Sequence, residues 1–321
     1  MKRFQNILVA LDTRSSSHPA LDWALSVAVP SQSRLTLVDV LPELSWVARN
    51  VVPNSEAHQQ LMIDDKKQKL EELAAPIRAR GQEVTTRVLR GKTSRALCDE
   101  VFHADHDLLV RVTRGIDSRS SAFYGTTGSR LLRSSPCAVA LIHPNYAASS
   151  GRILAAIDPA RNNPAHQKMT REVLDLTKSL ADLQNKEMHV VHAWVLFTPT
   201  LLKSTFSHND LATFRKSSEA DVAKEVDEVL EPYGLSHRDP RVHLVEGRVE
   251  AGDSVAKCAD AENVEMIVMG TMARSGLAGA LIGNTAERVL ELTNCSLLTI
   301  KPDAFISPAT GAHTATPSSA G

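Results

Sequence analysis

The chain is written twice, and that duplication constrains its fold more than any single motif does. Ile7-Leu8-Val9-Ala10-Leu11-Asp12 returns as Ile153-Leu154-Ala155-Ala156-Ile157-Asp158, an apolar hexamer ending in Asp, displaced by 146 residues. Gly125-Thr126-Thr127-Gly128-Ser129-Arg130-Leu131-Leu132 returns as Gly283-Asn284-Thr285-Ala286-Glu287-Arg288-Val289-Leu290, displaced by 158, and Cys137 and Cys295 keep that spacing. The twelve-residue difference calls for extra residues inside the second half, placed around Thr198–Asn209, because length changes belong in loops. A chain of 321 residues also exceeds the roughly 100–200 of a single domain, so two domains are expected.

Both halves alternate apolar runs with helical patterns, as βαβ units do when a parallel sheet is covered on both faces. Strands are expected near 6–11, 34–40, 83–89, 107–112 and 137–142, and again near 152–157, 187–195, 241–246, 264–270 and 295–300. Val222, Ala223, Val226, Val229 and Leu230 recur at helical spacing with Lys224, Glu225, Asp227 and Glu228 turned away, and Leu70, Leu73, Ala74 and Ile77 do the same in the first half. The fold class is therefore α/β: two tandem doubly wound, Rossmann-like domains, each with a five-stranded, mainly parallel sheet. The expected boundaries are 1–145 for the first domain, 146–151 for a linker and 152–303 for the second domain. The Ser/Thr/Ala/Gly-rich remainder, 304–321, has no periodicity and reads as a disordered tail.

Charge narrows the function. Lys plus Arg number 36 against 37 Asp plus Glu, which leaves no basic excess to neutralise a nucleic-acid backbone. No stretch reaches the ~18 apolar residues of a membrane span, and the short apolar run at the N-terminus is cut by Asp12 without a signal-peptide pattern. The four cysteines, Cys98, Cys137, Cys258 and Cys295, form no CxxC pair and suit a reducing cytosol.

The segment Val268-Met269-Gly270-Thr271, the run Gly276-Leu277-Ala278-Gly279-Ala280-Leu281-Ile282-Gly283-Asn284-Thr285-Ala286-Glu287-Arg288-Val289-Leu290, and Cys295 through Ile300-Lys301-Pro302 resemble the C-terminal part of the universal stress protein superfamily. With the first-strand Asp, the strand end Val191-His192-Ala193-Trp194 and the duplication, the chain is similar to the tandem, two-domain type of that family. In nucleotide-binding members, Gly-x2-Gly-x9-Gly-Ser/Thr closes over the phosphates. An Asp ending the first strand and the end of the second strand hold the adenosine. Glycine lets backbone N–H groups approach phosphate, and the helix start after the last Gly supplies oriented donors.

The resemblance implies a ligand site of Asp158, Ala193, Gly270, Gly283, Asn284 and Thr285 in the second half, and a less complete counterpart of Asp12, Val40, Gly115, Gly125 and Thr126 in the first. Neither motif is whole: Ala273 replaces the middle Gly and Asn284 the Ser/Thr in the second half, and Val112 replaces the first Gly in the first half. The implied ligand is ATP or AMP, the implied role stress signalling by ligand binding rather than catalysis, and the implied association pairing of the two domains, with a homodimer allowed. A weak ATP hydrolase and a ligand-free scaffold are the competing readings; against the hydrolase stands the lack of an assignable base or Mg²⁺-binding carboxylate. On the plainer alternative, Gly270, Gly276, Gly279 and Gly283 only shape a loop and a helix start, with Asn284 as N-cap.

Other groupings carry less. Arg90-Gly91-Lys92-Thr93-Ser94 lacks the first Gly of a phosphate loop, so Thr93 or Ser94 is expected to cap a helix beside a solvated Lys92. His103-Ala104-Asp105-His106-Asp107 reads as a solvated helix end rather than a metal site, and no metal is assigned. Arg111, Arg114 and Arg119 read as a solvated basic loop, His192 as a satisfied strand histidine, and Cys137 and Cys295 as buried strand starts.

Overall fold

Parallel strands hydrogen-bond on both sides and are covered on both faces, so the strands that position a site here are the most apolar stretches of the chain. The computed structural model describes residues 4–43, 55–113, 125–146, 151–160, 163–195, 208–247, 251–271 and 283–302. By its contacts the chain divides into two units, one built on Met1–Ala147 and one on Ala148–Arg274.

In the first unit, β1 (Asn6–Ala10) lies between β2 (Arg34–Leu41) and β4 (Leu108–Val112), all parallel. Beyond them β2 pairs with β3 (Val84–Arg90) and β4 with β5 (Ala138–Ile142), also parallel. Ile7, Leu8 and Val9 of β1 are fully buried, as are the last four residues of β5. Helices α1 (Pro19–Ser31), α2 (Ser55–Arg78), α3 (Thr93–His103) and α4 (Gly125–Ser134) make the crossovers. Pro19 starts α1, where its missing N–H costs nothing, and Gln32 ends it in the left-handed conformation. The buried stripe of α2 contains Ile63, Leu70, Ala74 and Ile77, and also Lys66.

The second unit repeats the order. β6 (Arg152–Ile157) lies between β7 (Glu187–Val195) and β9 (Met266–Gly270), and β8 (Val242–Gly247) lies outside β7, all parallel. Its helices are α5 (Pro164–Gln184), α6 (His208–Leu230), α7 (Ala251–Ala261) and α8 (Asn284–Leu292). Asp12 and Asp158 thus follow topologically equivalent central strands, as the duplication requires. The final strand, β10 (Ser296–Ile300), runs antiparallel to β5 and belongs by contacts to the first unit, although the repeat assigns these residues to the second half. Of the expected helix faces, Val226 and Leu230 on α6 and Leu70, Ala74 and Ile77 on α2 are buried. The expected insertion around Thr198–Asn209 lies almost wholly outside the described residues, as does the tail from 304. Among the described residues no helix is long and apolar enough to cross a membrane.

Several local expectations are corrected. α3 is capped by the backbone of Lys92, with Thr93 already inside the helix, because Gly91 at φ +120° turns the chain into it one residue early. His103 and Asp105 are exposed as a solvated helix end would be, but His106 is buried and Asp107 accepts hydrogen bonds from the backbone amides of Gln5 and Asn6 at the start of β1, so the end of this segment ties a strand down. Arg111 lies in β4 rather than in a loop, and burial lowers its guanidinium pKa from the ordinary value; Arg114 and Arg119 are outside the described residues. Strands β5 and β10 begin one residue after Cys137 and Cys295.

Burial pushes the thiols of Cys137 and Cys295 up to about 12. That disfavours the thiolate on which a redox or nucleophilic role depends, although both residues are only half-buried. Iodoacetamide at pH 7 is therefore expected to leave both unmodified in the folded protein and to label them after denaturation. Labelling of Cys137 in the folded chain at the denatured rate would instead favour a redox role. Cys137→Ser is expected to lower the melting temperature without changing ligand binding, since a hydroxyl there loses packing and must find a new partner.

Candidate ligand cleft

In a parallel sheet the strand carboxyl ends open onto one edge, and loops leaving them converge there. In the second unit a small open cleft of about 90 Å³ occupies that edge. Asp158 leaves β6, Ala193 lies on β7, Gly270 ends β9, and Thr285 lies in the first turn of α8; all four line the cleft. The structure thus brings together four of the six residues expected there. Gly283 is buried and immediately precedes α8, while Asn284 opens the helix.

The expected N-cap role of Asn284 is corrected. Gly283 is the cap, extended at φ −62° and ψ 144°, and provides no side-chain hydrogen bond to the helix. The first turn of α8 therefore has no side chain from its cap to satisfy its amides. Since the φ of Gly283 is negative, its backbone torsion does not itself require glycine.

Several features were not legible from the motif. His166 is buried in the first turn of α5 and lines the cleft, with its Nδ1 3.3 Å from Asp158 Oδ2. Asn163 caps α5 by accepting from the amides of Ala165 and His166, and Thr170 Oγ1 donates to the Asp158 carbonyl at 2.9 Å. Asn163-Pro164 directly after the Asp158 strand end is the sequence signal that could have placed His166 here, because it fixes where α5 begins. Met169, one turn on, fills the space next to Gly270: a Cβ on Gly270 would lie 2.6 Å from Met169 Cγ and 2.7 Å from its Sδ. Gly252 of α7 is likewise pressed by α8, where a Cβ would come within 2.5 Å of Arg288 Cβ and 2.9 Å of the Thr285 carbonyl. That close approach, with the 2.5 Å Arg288 Nε to Asp253 Oδ1 hydrogen bond, sets where the α8 N-terminus sits. His192 is satisfied as expected, its Nδ1 3.0 Å from the Ile157 carbonyl oxygen.

The walls are mostly apolar, from Ile157, Met169, Val173, Val255 and Met269, and the polar groups are few and convergent: Asp158, His166, Thr170 and Thr285. That is the usual make-up of a small-molecule site.

The equivalent residues of the first unit are differently engaged. Asp12 is held by its neighbour Arg14 through Nε at 2.9 Å and Nη2 at 2.7 Å, and the Arg14 hydrogen bond keeps its carboxyl below the usual range. One residue before the buried Val40, Asp39 accepts from Lys66 Nζ at 2.6 Å, from Thr13 Oγ1 at 2.6 Å and from the Thr13 amide at 2.9 Å. A lysine and a carboxylate from this chain therefore occupy the strand end that the second unit leaves to its cleft. Gly125 opens α4 and Thr126 is exposed, while Gly115 lies outside the described residues, as do Ala273, Gly276 and Gly279.

Comparison with known proteins places these observations. The Universal stress protein family profile matches residues 3–143 and again 150–301. Universal stress protein E of Photorhabdus laumondii is 24% identical over 313 residues, covering 96% of this chain and 98% of that one. Universal stress protein E of Escherichia coli K12 is also 24% identical, over 312 residues, covering 96% and 97%. Among solved structures, a functionally unknown protein from Pseudomonas aeruginosa PAO1 superposes with a TM-score of 0.70 at 25% identity, covering 94% of each chain. A universal stress protein from Archaeoglobus fulgidus, at 15% identity, shares the fold with a TM-score of 0.60 over 92% of this chain and 98% of that one.

Proposed function

The chain belongs to the universal stress protein family, as a tandem pair of its domains, and we propose that it acts in the stress response by binding an adenine nucleotide, ATP or AMP, in the second-unit cleft. The observation that carries this reading is the convergence of Asp158, Ala193, Gly270 and Thr285 on one cleft at the strand carboxyl ends. Asp158 would accept from ribose hydroxyls, and the apolar walls would take the base. The α8 first turn, with no side-chain cap, would present amides to phosphate. Occupancy changes the surface around the cleft, and protein partners in the cytosol read that change. The role is binding and signalling, with the domains of one chain paired and a homodimer as a further state.

Titration calorimetry of the whole chain with ATP and AMP tests this. Asp158→Ala is expected to weaken binding about tenfold to hundredfold, the range of a lost hydrogen bond to a charged group, whereas Asp12→Ala leaves it unchanged. Gly283→Val should weaken binding far more than Gly125→Val, since its side chain would stand at the helix entrance. Absence of binding by the wild type, or loss only in the first-unit variants, would overturn the reading. Multiple turnover of ATP would move the protein into the hydrolase class.

A further inference from the structure

The strand ends opposite the cleft carry a second group that the sequence pattern did not join. His189 is the third residue of β7, about 13 Å along the strand from the cleft residue Ala193 at roughly 3.3 Å per residue. His243 is the second residue of β8, and strand pairing sets it beside β7. Glu262 follows the end of α7.

We infer that His189, His243 and Glu262 form a binding site for a borderline transition-metal dication, Zn²⁺ in the first instance. His189 Nδ1 and His243 Nε2 are 3.2 Å apart. Two nitrogens bound to one zinc at roughly 2.0–2.1 Å with tetrahedral angles lie about 3.3–3.4 Å apart, so the pair already has nearly the required span. Glu262 faces both rings, with Oε2 3.9 Å from His189 Nδ1 and Oε1 3.9 Å from His243 Nδ1. One ligand atom from each of the three residues can be chosen so that all lie within 4.8 Å of one another.

The surroundings fit ligands held in place. His189 is 4% exposed, and its Nε2 is buried without a hydrogen-bond partner, 3.6 Å from Glu187 Oε2. Nε2 thus points toward Glu187, which leaves Nδ1 as the ring nitrogen turned to His243 and Glu262. Arg152 Nη1 donates to the Glu262 carbonyl oxygen at 2.9 Å and lies 3.4 Å from its Oε2, fixing the residue while Oε1 stays turned to His243. The two ring planes lie nearly parallel, 10° apart, with the facing nitrogens at hydrogen-bond distance. Metal binding requires a lone pair on each facing nitrogen, so a proton held there is released to solvent. Two imidazoles and a carboxylate suit zinc, cobalt or nickel far better than magnesium or calcium, which prefer all-oxygen sets. Three protein ligands leave a fourth position for water.

The test uses the metal-stripped whole chain titrated with Zn²⁺ alone, followed by calorimetry and by the melting temperature, and with Co²⁺, whose visible absorption reports tetrahedral coordination. The wild type is expected to bind one zinc ion and to melt higher with it. His243→Gln and Glu262→Gln alter side chains that are not fully buried; each should weaken zinc by more than the roughly tenfold to hundredfold typical of an outer partner and abolish the cobalt band. His237→Gln, at a histidine paired with Asp227 elsewhere in the second unit, should change neither. No saturable zinc binding by the wild type, or binding that survives both His243→Gln and Glu262→Gln, would overturn the assignment. So would magnesium competing at equal concentration. If either variant fails to fold, the cobalt spectrum of the wild type decides alone, an octahedral spectrum ruling the site out.

Discussion

Lys66→Ala is expected to destabilise the protein by about 3–5 kcal/mol, the cost of leaving one member of a buried ion pair alone. Lys66 and Asp39 are 8% and 5% exposed and 2.6 Å apart. Asp39 also accepts from the Thr13 hydroxyl and amide, so removing the ammonium strands a carboxylate among groups that cannot hydrate it. The double variant Lys66→Met with Asp39→Asn is expected to recover most of the loss. A methionine packs with Ile63 and Leu70 on the same helix stripe, and an asparagine oxygen still accepts from Thr13. Urea unfolding followed by circular dichroism measures both. A loss below about 1 kcal/mol for Lys66→Ala would mean the pair is hydrated like a surface ion pair. Rescue by the double variant would show that the pair is kept for something other than stability. Its place at the strand end where the second unit opens its cleft makes occlusion of the first cleft the reading to test next, by titrating that double variant with ATP.

Gly270→Val is expected to cost about 1–3 kcal/mol, as overpacking does, and to deform the cleft at the same time. The new Cβ would fall 2.6 Å from Met169 Cγ, and Met169 itself lines the cleft. Methionine is flexible, so Gly270→Ala should cost less, and Met169→Ala combined with Gly270→Ala should cost less than the sum of the two single changes, because the small residue frees the space. A phosphate-approach role for Gly270 predicts the opposite: ligand binding lost at unchanged melting temperature, with no rescue from Met169→Ala. Melting temperature and ATP titration on the same four proteins separate the two accounts.

Much of this protein follows from its sequence. A strand buried on both faces must be apolar, so the inner strands appear in the chain as short apolar runs, and all ten strands among the described residues, the half-exposed edge strands β3 and β8 included, lie within two residues of their expected bounds. Two copies of one pattern imply two copies of one strand order, which puts Asp12 and Asp158 after equivalent strands. The family resemblance singled out Asp158, Ala193, Gly270 and Thr285, and parallel strands release their loops on one edge, so these four could be expected to meet without knowing the coordinates.

What the tertiary structure alone decided is which side chains meet across that pattern. Lys66 is 27 residues from Asp39, and its position on the α2 stripe at the spacing of Ile63 and Leu70 was the only hint that it points inward. Met169 and Gly270 come together only because α5 crosses the end of β9. His189, His243 and Glu262 converge because β7 and β8 pair in a register that sets Val190 beside Val242. Periodicity reports which face of an element is buried, since burial repeats with the element. The partner across a sheet or between helices depends on register, crossing and side-chain torsion, which leave no repeating mark in the chain.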